Sequence, residues 1–219
     1  MNRLIAAIMP WVIERSLRRG LMGVWARVDG GAAPAGGAVV VANHGSWWDG
    51  YLLWLMVRRA RRPLGILIDA PTLERFPFFR QLGGLAPAEA RAAARRARTG
   101  AWVVVFPEGE IVPSGTIGSF APGARAISRW ADVPIIPVAI RVVLRARQRP
   151  EAYLRIGEPL GAGTAERAQR ARVTSLLTDL DRALEAADHV EAPPAGFDLW
   201  LHGVRSTDER AAELRRWWT

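Results

Sequence analysis

The stretch Asn43-His44-Gly45-Ser46-Trp47-Trp48-Asp49-Gly50 sets a histidine and an aspartate five residues apart, directly after the apolar run Ala38-Val39-Val40-Val41-Ala42. A histidine can accept a proton at neutral pH, and a carboxylate beside it fixes its tautomer and steadies the imidazolium that forms. Asp49 can reach back to His44 because a turn and the first residues of a helix fold the intervening chain onto itself. The chain contains no cysteine, which leaves Ser46 as a candidate nucleophile. A His-Asp pair without a protein nucleophile suits activation of a substrate hydroxyl, which then attacks an acyl group directly. The plainer alternative is a buried histidine bonded to an aspartate without catalysis, and a His-x4-Asp spacing alone does not separate the two. A second stretch, Val103-Val104-Val105-Phe106-Pro107-Glu108-Gly109, ends another apolar run in the same way. Its turn would face the same edge as His44. Glu108 would bring a carboxylate near the imidazole, and Gly109 permits a backbone conformation that other residues resist.

These residues need a frame. Residues 38–43 read as a strand buried on both faces. Further strands are expected over 64–68, 102–106, 135–143 and 153–156. Helices are expected over 48–58, over 88–98 with Gly100 as the stop, and over 164–187. The last has Thr164 as its cap and Val173, Leu176, Leu177, Leu180 and Leu184 on its buried face. Strands alternating with helices predict an α/β fold, a single domain with a largely parallel central sheet flanked by helices. Ligands of such sheets sit beyond the carboxyl ends of the strands, where both stretches fall. The first 28 residues carry helical spacing, Leu4, Ile8 and Trp11 and then Leu17, Leu21 and Trp25, with a kink at Pro10. This divides the chain into an N-terminal amphipathic helix over 1–28, a domain over 29–192 and, after the break at Pro193-Pro194-Ala195-Gly196, a C-terminal appendage over 193–219.

The formal net charge is +9, and all 30 basic residues are arginine. That balance points to an anionic partner, and 10 tryptophans tilt the choice toward a membrane interface. The apolar run over 4–13 ends at Glu14 and is short of the roughly 20 residues a span needs. No small-residue cleavage site marks a signal peptide. Residues 1–28 therefore lie in an anionic membrane interface or pack on their own domain; helical spacing allows both. Arg215-Arg216-Trp217-Trp218 carries the same ambiguity. Trp47 and Trp48 either line an entry for lipid or belong to the core of the following helix. The arginines are scattered and no nucleic-acid motif occurs, so no nucleic-acid partner is expected. A non-catalytic basic membrane- or nucleic-acid-binding module is the alternative class. His189 and His202 lie away from both stretches and receive no role.

The motifs, taken in order, resemble those of the glycerolipid acyltransferases, typified by the 1-acylglycerol-3-phosphate acyltransferases. Asn43, His44 and Asp49 match N-H-x-x-x-x-D, and Phe106, Pro107, Glu108 and Gly109 match F-P-E-G. Leu73, Pro77 and Phe78-Phe79 are similar to the second-motif segment, Phe120 and Gly123 to F-x-x-G, and Pro137-Val138 to the fourth motif. Ile156-Gly157-Glu158-Pro159-Leu160 resembles the closing strand. The resemblance implies that His44 is the base for an acceptor hydroxyl and Asp49 its orienting partner. It implies an acyl thioester of coenzyme A or of acyl carrier protein as donor, a lipid acceptor, no acyl-enzyme and no metal or other cofactor. Substrate-binding positions are expected at Asn43, Arg80, Phe106, Pro107, Glu108, Gly109, Glu110 and Gly123. The place implied is the cytoplasmic face of the cell membrane, peripheral or monotopic. Three departures stand out. Glu110, Ile111 and Val112 occupy the positions of the family's T-R-S, Ala121 that of a basic residue, and residues 84–89 lack a closing arginine. A phosphate-bearing acceptor would then need Arg80, Arg91 or Arg125 in compensation. The alternative acceptor is a neutral hydroxyl on a glycosylated or terpenoid lipid or an aminolipid.

Overall fold

The computed structural model describes residues 3–30, 34–112, 116–145, 147–187, 192–207 and 211. Residues 215–218 and His189 lie outside them. In chain order the elements are α1 (Arg3–Gly20), β1 (Gly23–Val28), β2 (Ala38–Ala42), α2 (Asp49–Arg59), β3 (Leu64–Leu67), α3 (Ala70–Arg75), α4 (Phe78–Gln81) and β4 (Gly84–Leu85). A 3-10 turn (Pro87–Glu89) leads into α5 (Ala90–Arg98), β5 (Trp102–Val105), α6 (Gly123–Ala131), β6 (Ile135–Val143), β7 (Glu151–Ile156), α7 (Glu166–Ala186) and β8 (Asp198–His202).

The strands form one sheet in the order β4-β3-β5-β2-β6-β7-β1-β8. From β4 to β6 every neighbouring pair is parallel; β7 runs antiparallel to β6, β1 parallel to β7, and β8 antiparallel to β1. The all-apolar β2 sits near the centre and is buried along its length, as a parallel strand covered on both faces must be. Its alternate residues serve two cores. Val40 joins Val104, Ile136 and Val138 beneath α1 and α2. Val39 and Val41 join Val103 and Val105 beneath α5 and α6. Helix α7 closes the second face through Leu176, Leu180 and Leu184 against Ala139 and Tyr153. Pro137 stands opposite Val41 in the β2–β6 ladder, but its carbonyl accepts the Gly157 N–H, so its ring nitrogen faces the β7 side, where the ladder begins only at Val138, and the β2 ladder is denied no N–H.

Three expectations are corrected. The N-terminal helix ends at Gly20, and the residues expected to continue it form β1, paired with both β7 and β8. Leu21, spaced as a helix residue, lies after the end of α1 and is fully buried, and Trp25 lies on β1, stacked on Tyr153. Residues 198–202, expected in an appendage, are the edge strand of the same sheet. Helix α7 starts after Ala165 rather than on a Thr164 cap, because the Thr164 hydroxyl donates backward to the Gly161 carbonyl at 2.7 Å.

Candidate active site

β2 and β5 are adjacent and parallel, paired from Ala38 with Trp102 to Val41 with Val105. Their carboxyl ends therefore deliver His44 and the Phe106–Gly109 turn side by side. The β2 ladder to β6 stops at Ala42. There the Asn43 side chain takes over: its Nδ2 donates to the Ile140 carbonyl at 3.1 Å and its Oδ1 accepts the Ile140 N–H at 2.8 Å. A side-chain amide thus imitates one more ladder residue and frees the backbone to turn away at His44. Asn43 is buried, and both polar groups of its amide serve β6. Asn43, expected from sequence among the substrate-binding positions, spends its side-chain amide as a tie at the end of β2.

His44 is held on every side. Its N–H donates to Glu108 Oε1 at 2.9 Å, and its carbonyl accepts the Val112 N–H at 2.8 Å. Its ring lies on Phe106, with centroids 4.1 Å apart and planes 18° from parallel. Its Nδ1 meets Asp49 Oδ2 at 3.0 Å. The Asp49 side chain is 2 % exposed and that of His44 is 20 %, so the carboxylate is sealed while the imidazole keeps an opening. Asp49 Oδ2 also accepts the N–H groups of Gly45 and Ser46 at 2.8 and 2.9 Å, and Oδ1 accepts the Ser46 hydroxyl at 2.5 Å. The side chain of the first residue of α2 thereby ties down the loop that precedes it. The carboxylate accepts from the Nδ1–H of His44, which assigns the tautomer and leaves the Nε2 lone pair. Among the described residues Nε2 has no hydrogen-bond partner. The Ser46 hydroxyl, a candidate nucleophile from sequence, is engaged by Asp49 Oδ1 rather than by the imidazole of His44.

The turn at the end of β5 closes with Gly109 N–H donating to the Phe106 carbonyl at 3.1 Å. Gly109 has φ +80°, a conformation that costs a glycine nothing. The Pro107 carbonyl accepts the Ala121 N–H at 2.9 Å, just before Gly123 opens α6. Glu108 does not face the imidazole. Its Oε1 takes the His44 amide and its Oε2 the Gly118 amide at 2.8 Å, so it braces the site. Glu110 and Ile111 are exposed beside it. Arg80, on α4, donates to Glu89 at 2.7 Å. The Ala86 amide and the Arg80 guanidinium hold the Glu89 carboxyl below its usual range. Arg125 lies 3.5 Å from Glu166, and Arg91 stacks over Trp130 at 4.8 Å. The two indoles separate in role: Trp48 packs over Gly20 of α1 and in the core, whereas Trp47 is 62 % exposed and meets Trp48 and Tyr51 edge-on.

An acyltransferase family model matches residues 26–141, which is more than half of the chain and contains the whole His44–Asp49 and Phe106–Gly109 constellation. The chain belongs to the acyltransferase family. A stretch of 42 residues of this acyltransferase is 43 % identical to the 1-acyl-sn-glycerol-3-phosphate acyltransferase of Pseudomonas aeruginosa, covering 19 % of this chain and 16 % of that protein. The fold is similar to the crystal structure of the 1-acyl-sn-glycerophosphate (LPA) acyltransferase PlsC from Thermotoga maritima. That match has a TM-score of 0.58 at 20 % identity, over 85 % of this chain and 80 % of the other. Sequence reasoning brought His44, Asp49 and the Phe106 turn together. It missed Ser46 as a brace of Asp49, and the backbone tie through Gly118, which no side-chain pattern announces.

Proposed function

We propose that this acyltransferase moves a fatty acyl group from an acyl thioester, of coenzyme A or of an acyl carrier protein, to a hydroxyl of a lipid acceptor. The supporting observation is the His44 Nδ1–Asp49 contact at 3.0 Å, which leaves Nε2 as the basic nitrogen in a partly open site. Nε2 takes the proton of the acceptor hydroxyl as its oxygen attacks the thioester carbonyl. The tetrahedral intermediate collapses by breaking the C–S bond, and the imidazolium returns the proton to the departing thiolate. The buried Asp49 carboxylate steadies the imidazolium between those steps. Positioned general-base catalysis of this kind contributes about 10²–10⁴-fold.

The names of the curated relative and of the solved neighbour make 1-acylglycerol-3-phosphate the first acceptor to test. A second reading, an acceptor with an uncharged headgroup, is favoured by Glu110 and Ile111 after the Gly109 turn and by the pairing of Arg80 with Glu89. Peripheral association with an anionic membrane is part of the proposal. Ile8, Trp11 and Val12 are exposed on α1, while among the described residues no helix is long and apolar enough to cross a membrane. The test is incubation of the purified protein with labelled acyl-CoA or acyl carrier protein and total lipid, with product identification and a folded His44→Ala control. Label transfer by the control equal to wild type would overturn the mechanism.

A further inference from the structure

We propose that Arg170, on α7 and outside the residues matched by the family model, is a positioning residue that holds His44 through one peptide group and one carboxylate. The inference rests on His44 being the base. Arg170 Nη2 donates to the Ile117 carbonyl at 2.8 Å, and its Nε donates to the next carbonyl, Gly118, at 2.8 Å. The Gly118 N–H, which belongs to the same peptide group as the Ile117 carbonyl, donates to Glu108 Oε2 at 2.8 Å. The other oxygen of Glu108 takes the His44 N–H at 2.9 Å.

A single peptide group is thus bracketed by a cation on its oxygen and a carboxylate on its nitrogen. Both charges polarise it in the same sense, so each bond strengthens the other. The segment around Gly118 has no helix or strand of its own, and the guanidinium supplies the order that a ladder would otherwise give. Two successive carbonyls suit the planar fork of arginine and not the single ammonium of lysine. Without Arg170 the Gly118 amide loses its fixed position. Glu108 is then free to follow it, and the His44 backbone loses the brace that sets the direction of Nε2. A misplacement of about 1 Å in a reacting group is enough to lower a rate by as much as 10²-fold.

The test compares Arg170→Ala, Arg170→Lys and Arg167→Ala in the full chain. Arg167 is an exposed arginine of the same helix with no hydrogen bond or ion pair among the described residues. The readouts are amide hydrogen exchange of the segments 44–49 and 116–120, and kcat and KM with acyl-CoA and the best acceptor found. For Arg170→Ala, faster exchange is expected in both segments, with kcat down about tenfold and KM within about twofold. Arg170→Lys should recover part of each, and Arg167→Ala should match wild type. Unchanged exchange over 44–49 in Arg170→Ala overturns the proposal, as does an equal effect of Arg167→Ala. If Arg170→Ala does not fold, the proposal stands or falls on Arg170→Lys, which must show the same pattern in weaker form. Faster exchange in the variant, with no acyl transfer by wild type from any thioester, sustains the relay and overturns the reading of His44 as base.

Discussion

His44 Nδ1 and Asp49 Oδ2 lie 3.0 Å apart, and that same oxygen accepts the Gly45 and Ser46 amides. One oxygen therefore serves three donors, with the Ser46 hydroxyl on the other. The carboxylate cannot turn away from the imidazole without releasing two backbone groups. The ring cannot tip without leaving Phe106. The geometry fixes both the tautomer and the direction of Nε2 before any substrate arrives, which is what a general base requires.

Removing the base and removing its partner should differ. His44→Ala should lower acyl transfer by about 10²–10⁴-fold with the fold retained, since the ring is partly open and its backbone bonds survive. Asp49→Asn should lower the rate as well, because a neutral amide no longer steadies the imidazolium, and it should also destabilise the protein by about 1 kcal/mol or more, as charge-assisted bonds to the carboxylate become neutral ones. Initial rates and urea unfolding of both variants check this. An Asp49→Asn protein as stable and as active as wild type would contradict the geometry.

The Asn43 tie makes a separate prediction about stability. Asn43→Ala leaves the Ile140 N–H and carbonyl without partners at a buried strand end, costing about 1–3 kcal/mol for each group that water cannot reach. Asn43→Asp should be no better, because it presents a second acceptor to the Ile140 carbonyl in place of the donor. Chemical denaturation decides between this and a substrate-contacting Asn43, for which stability would not change.

The frame was legible because its signals are strong ones. An all-apolar β2 followed by His44, and a second apolar strand ending in Pro107 and Gly109, can point to one sheet edge only if the strands are parallel neighbours. The N-terminal segment was misread for a physical reason. Leu17, Leu21 and Trp25 fit a helical period, but Gly20 ends α1 and Gly23 begins β1, and the strand is held by pairing to β7 and β8, which lie more than a hundred residues away. The roles of Asn43 and Glu108 were illegible for a related reason. Each spends its side chain on backbone groups of distant segments, and residue type alone does not reveal such partners.

The α1 helix divides its apolar residues between two jobs. Ile13 and Leu17 are buried in the domain, so the helix is docked. Ile8 and Trp11 are 45 % and 61 % exposed, and Arg15 stacks over Trp11 at 5.1 Å, the pairing of aromatic and cation expected of an interfacial helix. Deleting residues 1–28 would remove β1 from the sheet, so point changes are the cleaner test. Ile8→Ser with Trp11→Ser should weaken binding to anionic liposomes while leaving the unfolding midpoint near wild type. The charge-dependent share should fade with salt, as the Debye length is about 8 Å at physiological ionic strength. Sedimentation with anionic and neutral vesicles measures both. Equal binding of variant and wild type would remove α1 from the membrane-contacting surface.

The proposed preference for an uncharged acceptor rests on the residues beside the Gly109 turn. Glu110 and Ile111 are exposed there, so a phosphate brought to that place would meet a carboxylate at 110 and no guanidinium at 111. Of the arginines that could substitute, Arg80 is engaged with Glu89, Arg125 approaches Glu166, and Arg91 is stacked on Trp130. A charge-assisted hydrogen bond contributes roughly 1.5–3 kcal/mol, so the missing contact corresponds to about one to two powers of ten in relative affinity for a phosphorylated headgroup. We therefore expect a lipid with an uncharged hydroxyl to outcompete 1-acylglycerol-3-phosphate at subsaturating concentration. Glu110→Thr with Ile111→Arg should move the preference back toward the phosphate by a similar factor, with kcat for the uncharged acceptor little changed because His44 and Asp49 are untouched. Competing the two acceptors in one reaction with labelled acyl-CoA reads the ratio directly. A wild-type preference for 1-acylglycerol-3-phosphate would mean that one of the paired arginines releases its carboxylate to hold the phosphate. Arg80→Ala, which frees Glu89, would then be the first variant to abolish that preference.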